Sequence, residues 1–187
     1  VARYLLFGLS DRLERQPQSL PLRTEVAQVS QGYLDRLAGS RRSPELTRES
    51  VEGLLRLAER QGAPGRPNLG QPEKAKANLA RAYLLAAALP PAEGARLAAR
   101  VRLDQAALAT MVDNDLPASE RLLADARRLI GPPEQAPGGL GGDYFRELSA
   151  LRQWQGRYGE GAAAAQAGLR APRSEEHTSE LQSPVVI

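Results

Sequence analysis

Three segments of the chain begin with a turn and continue as a helix, and they are evenly spaced. The turns are centred on Gly70, Asp113 and Gly156, which lie 43 residues apart each time. A small residue follows five positions after each turn, and a second apolar or small residue follows nine positions after it. These residues are Ala75 and Leu79, Ala118 and Leu122, and Gly161 and Ala165. Equal spacing predicts one helical hairpin that recurs and stacks, with the small residue where its two helices approach closely.

The predicted fold is therefore all-α: a right-handed solenoid of helix hairpins, with about three degenerate repeats and an N-terminal helical pair. We expect the helical pair in residues 1–39, the first two repeats in residues 43–131 and the third repeat in residues 143–172. Alanine, leucine, arginine and glutamate dominate the chain and aromatic residues make up only 4%, a composition that favours helix.

Proline, glycine and capping residues predict where the individual helices begin and end. The first helix carries Leu5, Leu9 and Leu13 and stops before Pro17, and the second runs from Leu22 to Gly39. Ser43 and Pro44 open a third helix that ends at Gly62. The remaining helices are predicted at 72–89, 90–112, 115–130, 143–154 and 159–169. Residues 63–70 form a defined loop and residues 135–142 a flexible linker, Asp143 caps the seventh helix, and Trp154 belongs to the core.

Several kinds of functional site are excluded by the residues that the sequence lacks. There is no cysteine, and the single histidine, His177, lies near the end of the chain. A Ser/His/Asp arrangement and a zinc site of cysteine and histidine therefore have no members in the main part of the chain. Asp113-Asn114-Asp115 lacks the glycine and distal glutamate of a calcium loop, and Gly138 to Gly142 lacks the Gly-Lys-Ser/Thr of a phosphate loop. We expect no cofactor, no metal and no enzymatic activity.

The recurring hairpin resembles the tetratricopeptide repeat, whose second helix begins after a glycine turn and carries small and apolar residues at these offsets. Gly70 to Ala75 (GQPEKA) and Trp154 to Tyr158 (WQGRY) carry the resemblance best. The spacing of 43 residues is longer than the period of about 34 in that family. The resemblance implies a helical solenoid that binds a protein or a peptide.

A longer resemblance covers roughly residues 3–130. Its order of motifs is Leu5-Leu6-Phe7, then Tyr33 to Ala38 (YLDRLA), then Gln61-Gly62 and Asn68-Leu69-Gly70. It is similar to the repeat region that follows a membrane span in some bacterial serine/threonine kinases, or that follows winged-helix regulatory domains. The glycine-rich loop, the His-Arg-Asp and the Asp-Phe-Gly of kinases are missing from this sequence. Any kinase activity is thus expected in another part of a parent protein.

The two ends of the chain carry separate expectations. Arg173 to Pro184 reads RSEEHTSELQSP, which resembles the translation of a short sequencing adapter, so residues 173–187 are predicted to be a non-native, disordered tail. Val1 lies inside a helical pattern, so we expect the natural protein to continue upstream. The stretch Tyr4 to Leu9 is too short to span a membrane. The expectation is a soluble segment without direct membrane insertion. The extracytoplasmic part of an inner-membrane-anchored protein is one location open to it, and the side of the membrane is left open.

The repeat predicts a concave groove lined by the first helix of each hairpin, where a protein or peptide would bind. By repeat offset, the residues expected to line it are Glu52, Arg56, Glu59, Arg100, Thr110, Arg146 and Gln153. Asn68, in the loop, is a further candidate, although its amide is better suited to local backbone groups. We expect exchange of Arg56 and Arg100 for glutamate to weaken binding of an acidic partner.

Alternative functions are also open. The sequence has 25 basic and 22 acidic residues, interleaved without a basic stripe, so nucleic-acid binding is not expected. The chain could instead be a structural spacer or a dimerisation element, with Leu5, Leu9 and Leu13 extending a longer helix. In that case it would form a homodimer. Recovery of only the protein itself in a pulldown would favour this hypothesis of a spacer or dimerisation element.

Overall fold

The computed structural model describes residues 20–39 and 43–172, and it is all-helical there, as predicted. The predicted helix at Leu5 to Leu13 and the tail at 173–187 lie outside these residues. The described part has seven α-helices and one short 3₁₀ helix, Pro133–Gln135. The α-helices are α1 (Leu20–Gly39), α2 (Pro44–Gly62), α3 (Pro72–Ala86), α4 (Pro91–Met111), α5 (Leu116–Ile130), α6 (Leu140–Trp154) and α7 (Tyr158–Arg170).

Two of the helix starts are fixed by the capping residues that the sequence predicts. The hydroxyl oxygen of Ser43 accepts a hydrogen bond from the backbone N–H of Leu46 at 3.3 Å, and Pro44 occupies the first position of α2. The carboxylate of Asp115 accepts one from the backbone N–H of Ala118 at 2.9 Å. These side chains satisfy N–H groups that have no partner within their own helix.

A left-handed residue stands two positions before the second helix of each hairpin. The residues are Gly70, Asn114 and Gly156, with φ of 64°, 53° and 74°. The middle turn is thus centred on Asn114 and not on Asp113, because asparagine tolerates the left-handed region better than most side chains and Asp115 is needed as the cap. The predicted register of the middle repeat is therefore wrong by one residue.

The corrected register places the small buried residues at equivalent positions. Ala75, Ser119 and Gly161, each three residues after the start of its helix, are all buried. Four residues further on, Leu79 and Leu123 are 1% and 2% exposed. In the third hairpin Ala165 takes that position and is exposed.

The helices pack mainly as consecutive pairs. α2 packs against α3, α4 against α5, and α6 against α7. Successive pairs adjoin through α3 with α4 and α5 with α6, and the first helices α2, α4 and α6 also touch in that order. α1 packs on α2. The apolar side chains form two cores, one around α1 to α4 and one around α4 to α7, so that α4 contributes to both.

Three predicted local features are wrong. Helix α3 ends at Ala86 instead of Leu89, because the chain turns there before Pro90, with the N–H of Leu89 donating to the carbonyl of Ala86. Residues 140–142 belong to α6 and not to a linker, so Asp143 lies in the first turn of that helix instead of capping it. Trp154 is 51% exposed, while Leu151, one turn earlier, is fully buried and takes the core position.

Gly141 explains why glycine-rich sequence forms a helix start here. A Cβ atom at this position would lie 2.0 Å from the backbone oxygen of Pro133. The glycine therefore permits α6 to begin in close contact with the 3₁₀ helix. Glycine is needed at position 141 so that the two segments can approach closely, and not to make the chain flexible.

Candidate functional site

The first helices of the three hairpins meet at a cavity of about 310 Å³, here called the central cavity. Its walls come from α2, α4 and α6, from Leu79 of α3 and from the start of the loop between α2 and α3. The apolar part of the lining consists of small and aliphatic side chains, namely Ala58, Leu79, Ala107, Leu108, Met111 and Ala150. Pro64 and Gly65 complete it on the loop side. A surface with both apolar walls and charged groups is typical of ligand-binding pockets.

Three of the residues predicted to line a groove are brought together here. Glu59 lies on α2, Arg100 on α4 and Arg146 on α6, and all three line the central cavity. They occupy one helix each in three successive hairpins. The cavity therefore collects one predicted residue from each repeat.

The guanidinium groups of the cavity are engaged with carboxylates. Arg100 Nη1 donates to Asp143 Oδ2 at 2.8 Å, and Arg146 Nη1 donates to Asp143 Oδ1 at 2.7 Å. Arg146 Nε also donates to Glu147 Oε1 at 3.0 Å. Asp143 thus links the arginines of α4 and α6, which holds the two helices in a fixed relation.

Asp104, on α4, is the carboxylate with the most perturbed surroundings. Its nearest charged neighbour is Arg100, whose Nε lies 3.6 Å from Oδ1, too far for a hydrogen bond. Its side chain keeps 30% of its exposure and lines the central cavity. Burial raises the pKa of Asp104 to about 7; Arg100 opposes this rise, whereas Glu59, Glu147 and Asp143 add to it.

Glu147 shares this environment. Its side chain is only 12% exposed, and burial raises the pKa of its carboxyl above the usual range, against the attraction of Arg146. Two carboxyl groups that resist ionisation thus stand at one cavity. Such perturbed groups are more frequent at functional sites than elsewhere, although ion-pair networks also produce them.

The loop between α2 and α3 is held in shape by Asn68, which does not itself line the cavity. Its Nδ2 donates to the backbone oxygens of Ala63 at 2.8 Å and Arg66 at 3.1 Å. Its Oδ1 accepts from the N–H of Gly70 at 2.8 Å. Arg66, on the same loop, forms an ion pair with Glu59 at the cavity. Asn68 therefore satisfies local backbone groups, as the sequence favours, and in doing so positions one wall.

The other predicted residues lie elsewhere. Glu52 is half-buried and Arg56 exposed on α2, and neither lines the central cavity. Thr110 is 2% exposed, and its hydroxyl donates to Ser119 Oγ at 2.7 Å in the interface between α4 and α5, where no partner could reach it. Gln153 is exposed and its amide donates to Ser149 Oγ at 3.3 Å, beside the turn of the third hairpin.

Sequence reasoning missed Asp104 and Glu147. Repeat offsets pick positions on a helix face, and Asp104 follows Arg100 by one helical turn, which was a usable signal. No local sequence pattern pointed to Glu147. Its neighbour Arg146 points in a different direction on the helix, and the burial of Glu147 depends on how α6 packs against α4.

No known protein family, no curated protein sequence and no solved structure matches the chain. The site must therefore be interpreted from its own geometry. Within the described residues, no group of three or more His, Cys, Asp or Glu side chains is placed to hold a metal ion. None of the helices at 20–39 and 43–172 has the length and apolar character needed to cross a membrane.

A second cavity, of about 380 Å³, lies among α1, α2 and α3. Amide side chains dominate its lining, and they bond to one another: Asn78 Nδ2 donates to Gln31 Oε1 and to Gln61 Oε1, both at 2.8 Å. Three of these amides, Gln31, Gln61 and Asn78, are thus engaged with one another within the fold. This cavity is therefore the weaker candidate for a binding site.

Proposed function

We propose that this chain is a non-catalytic protein-interaction module, a tetratricopeptide-like solenoid that holds a peptide segment of a partner at the central cavity. The observation that carries the proposal is the meeting of Glu59, Arg100 and Arg146, from three successive hairpins, at one cavity with apolar walls. Stacked hairpins that align their first helices create such a continuous surface.

The size of the cavity fits this role. At about 310 Å³ it lies at the lower end of the range of about 300–1,000 Å³ found for small-molecule pockets. It can enclose one anchoring side chain of a peptide, while the rest of the peptide runs along the first helices. Anchors of this kind carry most of the binding energy in many interfaces.

A substitution that fills the cavity tests the proposal. Ala107→Trp would occupy the space between the apolar walls, whereas Ala124→Trp puts the same side chain on an exposed position of α5. We expect selection from a random peptide library to yield binders that lose at least tenfold in affinity with Ala107→Trp and keep their affinity with Ala124→Trp. Circular dichroism checks that both variants remain helical. Equal binding by both variants would exclude the central cavity as the site.

The parent protein is a further part of the proposal. The resemblance of residues 3–130 to regions that follow a membrane span in bacterial serine/threonine kinases, or that follow winged-helix domains, supports a sensory or interaction role in a signalling protein. Recovery of the uninterrupted reading frame around this segment tests that assignment. A parent without a signalling domain would contradict it.

A second candidate function is a dimerisation or spacer element. It is favoured by Tyr158 and Leu169, which are 71% and 73% exposed on α7. Sedimentation equilibrium over a wide concentration range separates the two functions. A monomer mass throughout would remove dimerisation from consideration, and a dimer that Leu169→Glu dissociates would support it.

A further inference from the structure

The central cavity holds more carboxylates than guanidinium groups. Its charged network contains the carboxylates Glu59, Asp104, Asp143 and Glu147 and the guanidinium groups of Arg66, Arg100 and Arg146. If all are ionised, one negative charge is left without a matching positive charge. A ligand that brings a positive charge would balance the network.

Asp104 is the carboxylate that has no closely paired guanidinium group. The short ion pairs join Arg66 to Glu59, Arg100 and Arg146 to Asp143, and Arg146 to Glu147. Asp104 has only the 3.6 Å approach of Arg100 Nε, and no hydrogen bond links its carboxylate to another residue of the described chain. Its oxygens are therefore acceptors with unused capacity at a cavity wall.

The arginines, by contrast, are already paired with carboxylates and offer an acidic ligand no unbalanced positive charge. Arg100 and Arg146 each donate to Asp143, and Arg146 also donates to Glu147. An incoming carboxylate would be repelled by the four carboxylates already present at the cavity. This argues against the acidic partner that the sequence led us to expect.

The apolar lining suits the stem of a long basic side chain. Ala58, Ala107, Leu108 and Ala150 contribute apolar groups from three helices. Lysine and arginine bury their methylene stems on such surfaces while their charged ends reach a polar group.

Building on the proposed function, we infer that the central cavity receives a lysine or arginine side chain of a basic partner peptide, with Asp104 as the acceptor of its charged end. Binding then requires the ionised form of Asp104. The groups that face this carboxyl are Arg100 from its own helix, Glu59 and Arg66 from the α2 side, and Asp143, Arg146 and Glu147 from α6. Because the pKa of Asp104 in the free protein is about 7, affinity should fall as the pH drops below that value.

Three capped tripeptides test the inference: acetyl-Leu-Arg-Leu-amide and its analogues with citrulline or glutamate in the centre. Citrulline keeps the shape of arginine and removes its charge. Titrations followed by NMR of the alanine methyl groups locate the binding and measure its strength. At pH 8 we expect the arginine peptide to bind at least tenfold more tightly than the citrulline peptide, and to shift the methyl signals of Ala107 and Ala150.

The pH and two variants of the protein complete the experiment. The affinity for the arginine peptide should fall by roughly thirtyfold between pH 8 and pH 5.5, as protonation of a group with a pKa near 7 requires. Asp104→Asn should abolish both this dependence and the preference for arginine over citrulline. Asp125→Asn, a matched change on α5 whose carboxylate pairs with Arg128, should leave both unchanged.

The outcomes separate the inference from the proposed function. Equal or tighter binding of the citrulline or glutamate peptide at the same methyl groups would overturn the cationic ligand and leave the peptide-binding role standing. Full affinity of the Asp104→Asn protein for the arginine peptide would overturn the role of Asp104. If none of the three peptides binds at millimolar concentration, the inference fails together with the binding site proposed at the cavity.

Discussion

The fold raises the pKa of the Asp104 carboxyl group, so the stability of the protein should depend on pH through this residue. Its pKa of about 7 in the folded protein compares with an ordinary value of 3.8. Between these two values the folded chain binds a proton that the unfolded chain has released. The free energy of unfolding contributed by this group is therefore present below about pH 4 and is lost as the pH rises through 7.

We predict that Asp104→Asn becomes more stable relative to the parent protein as the pH rises. The two should unfold alike near pH 3, where the Asp104 carboxyl is mostly protonated in both the folded and the unfolded chain. At pH 8 the free energy of unfolding of the variant should exceed that of the parent protein by on the order of 3 kcal/mol more than it does in acid. Urea unfolding at a series of pH values measures this. A constant difference between the two proteins would show that Asp104 ionises normally.

Asp35 provides a control of opposite sign. A hydrogen bond from Arg81 lowers the pKa of its carboxyl. Its contribution to stability is present above the ordinary carboxyl pKa and is lost as the pH falls through the lowered value. Asp35→Asn should therefore be less stable than the parent at neutral pH, and the gap should close in acid.

A second prediction at this scale concerns two glycines. In Gly141→Ala the new methyl group would meet the backbone oxygen of Pro133, which cannot move without shifting the 3₁₀ helix. We expect a loss of about 3 kcal/mol or more in the free energy of unfolding. Gly159→Ala, in α7, meets nothing within 4 Å and should gain up to about 1 kcal/mol from helix propensity. Equal effects in urea unfolding would mean that α6 does not start against Pro133.

At the scale of the helix, the second helices of the first two hairpins bury a leucine at a position where the third has an exposed alanine. Leu79 on α3 and Leu123 on α5 are buried, and the equivalent Ala165 on α7 is exposed. Leu123→Ala should therefore lower the free energy of unfolding by about 2–5 kcal/mol. Leu169→Ala, the same change on the open face of α7, should alter it by no more than about 0.5 kcal/mol. Thermal and urea unfolding of both variants give the comparison, and a large loss from Leu169→Ala would show that α7 is covered.

Local sequence signals predicted where helices start, but not how distant segments pack against one another. Prolines and caps such as Ser43 and Asp115 act locally, so the helix starts they mark are correct. The linker prediction failed because the glycine at 141 serves close packing against Pro133, which lies several residues away. Trp154 was placed in the core by periodicity, yet it lies at the end of α6 and is half exposed, whereas Leu151 is buried.

For the site, three of the eight predicted residues lie at the central cavity, and repeat offsets did not predict which carboxyl groups have a raised pKa. Glu59, Arg100 and Arg146 share a cavity because they lie on the first helices of successive hairpins, and these helices touch one another. Thr110 was assigned to the groove as well, although its helix turns it towards Ser119. The raised pKa of Asp104 arises from burial and from acidic residues on other helices, which no local pattern encodes.

At the scale of the whole described chain, helix α4 contributes fully buried side chains to both cores. Val101 packs in the core around α1 to α4, while Leu103, two positions along, packs in the core around α4 to α7. Leu54 on α2 belongs only to the first core and Leu151 on α6 only to the second. If hairpins stack as proposed, each should open with a free energy set by its own core and its neighbours.

Native-state hydrogen exchange on three leucine-to-alanine variants tests this division. Leu151→Ala should lower the protection of amides in α6 and α7 by an amount corresponding to about 2–5 kcal/mol and change α2 and α3 much less. Leu54→Ala should do the reverse. Leu103→Ala should weaken protection on the side of α5 to α7 directly and, through α4, reach α3 as well, because α3 packs on α4. A uniform loss of protection in all three variants would mean that the seven helices of the described chain unfold as one cooperative unit, which a stack of hairpins coupled only to their neighbours would not do.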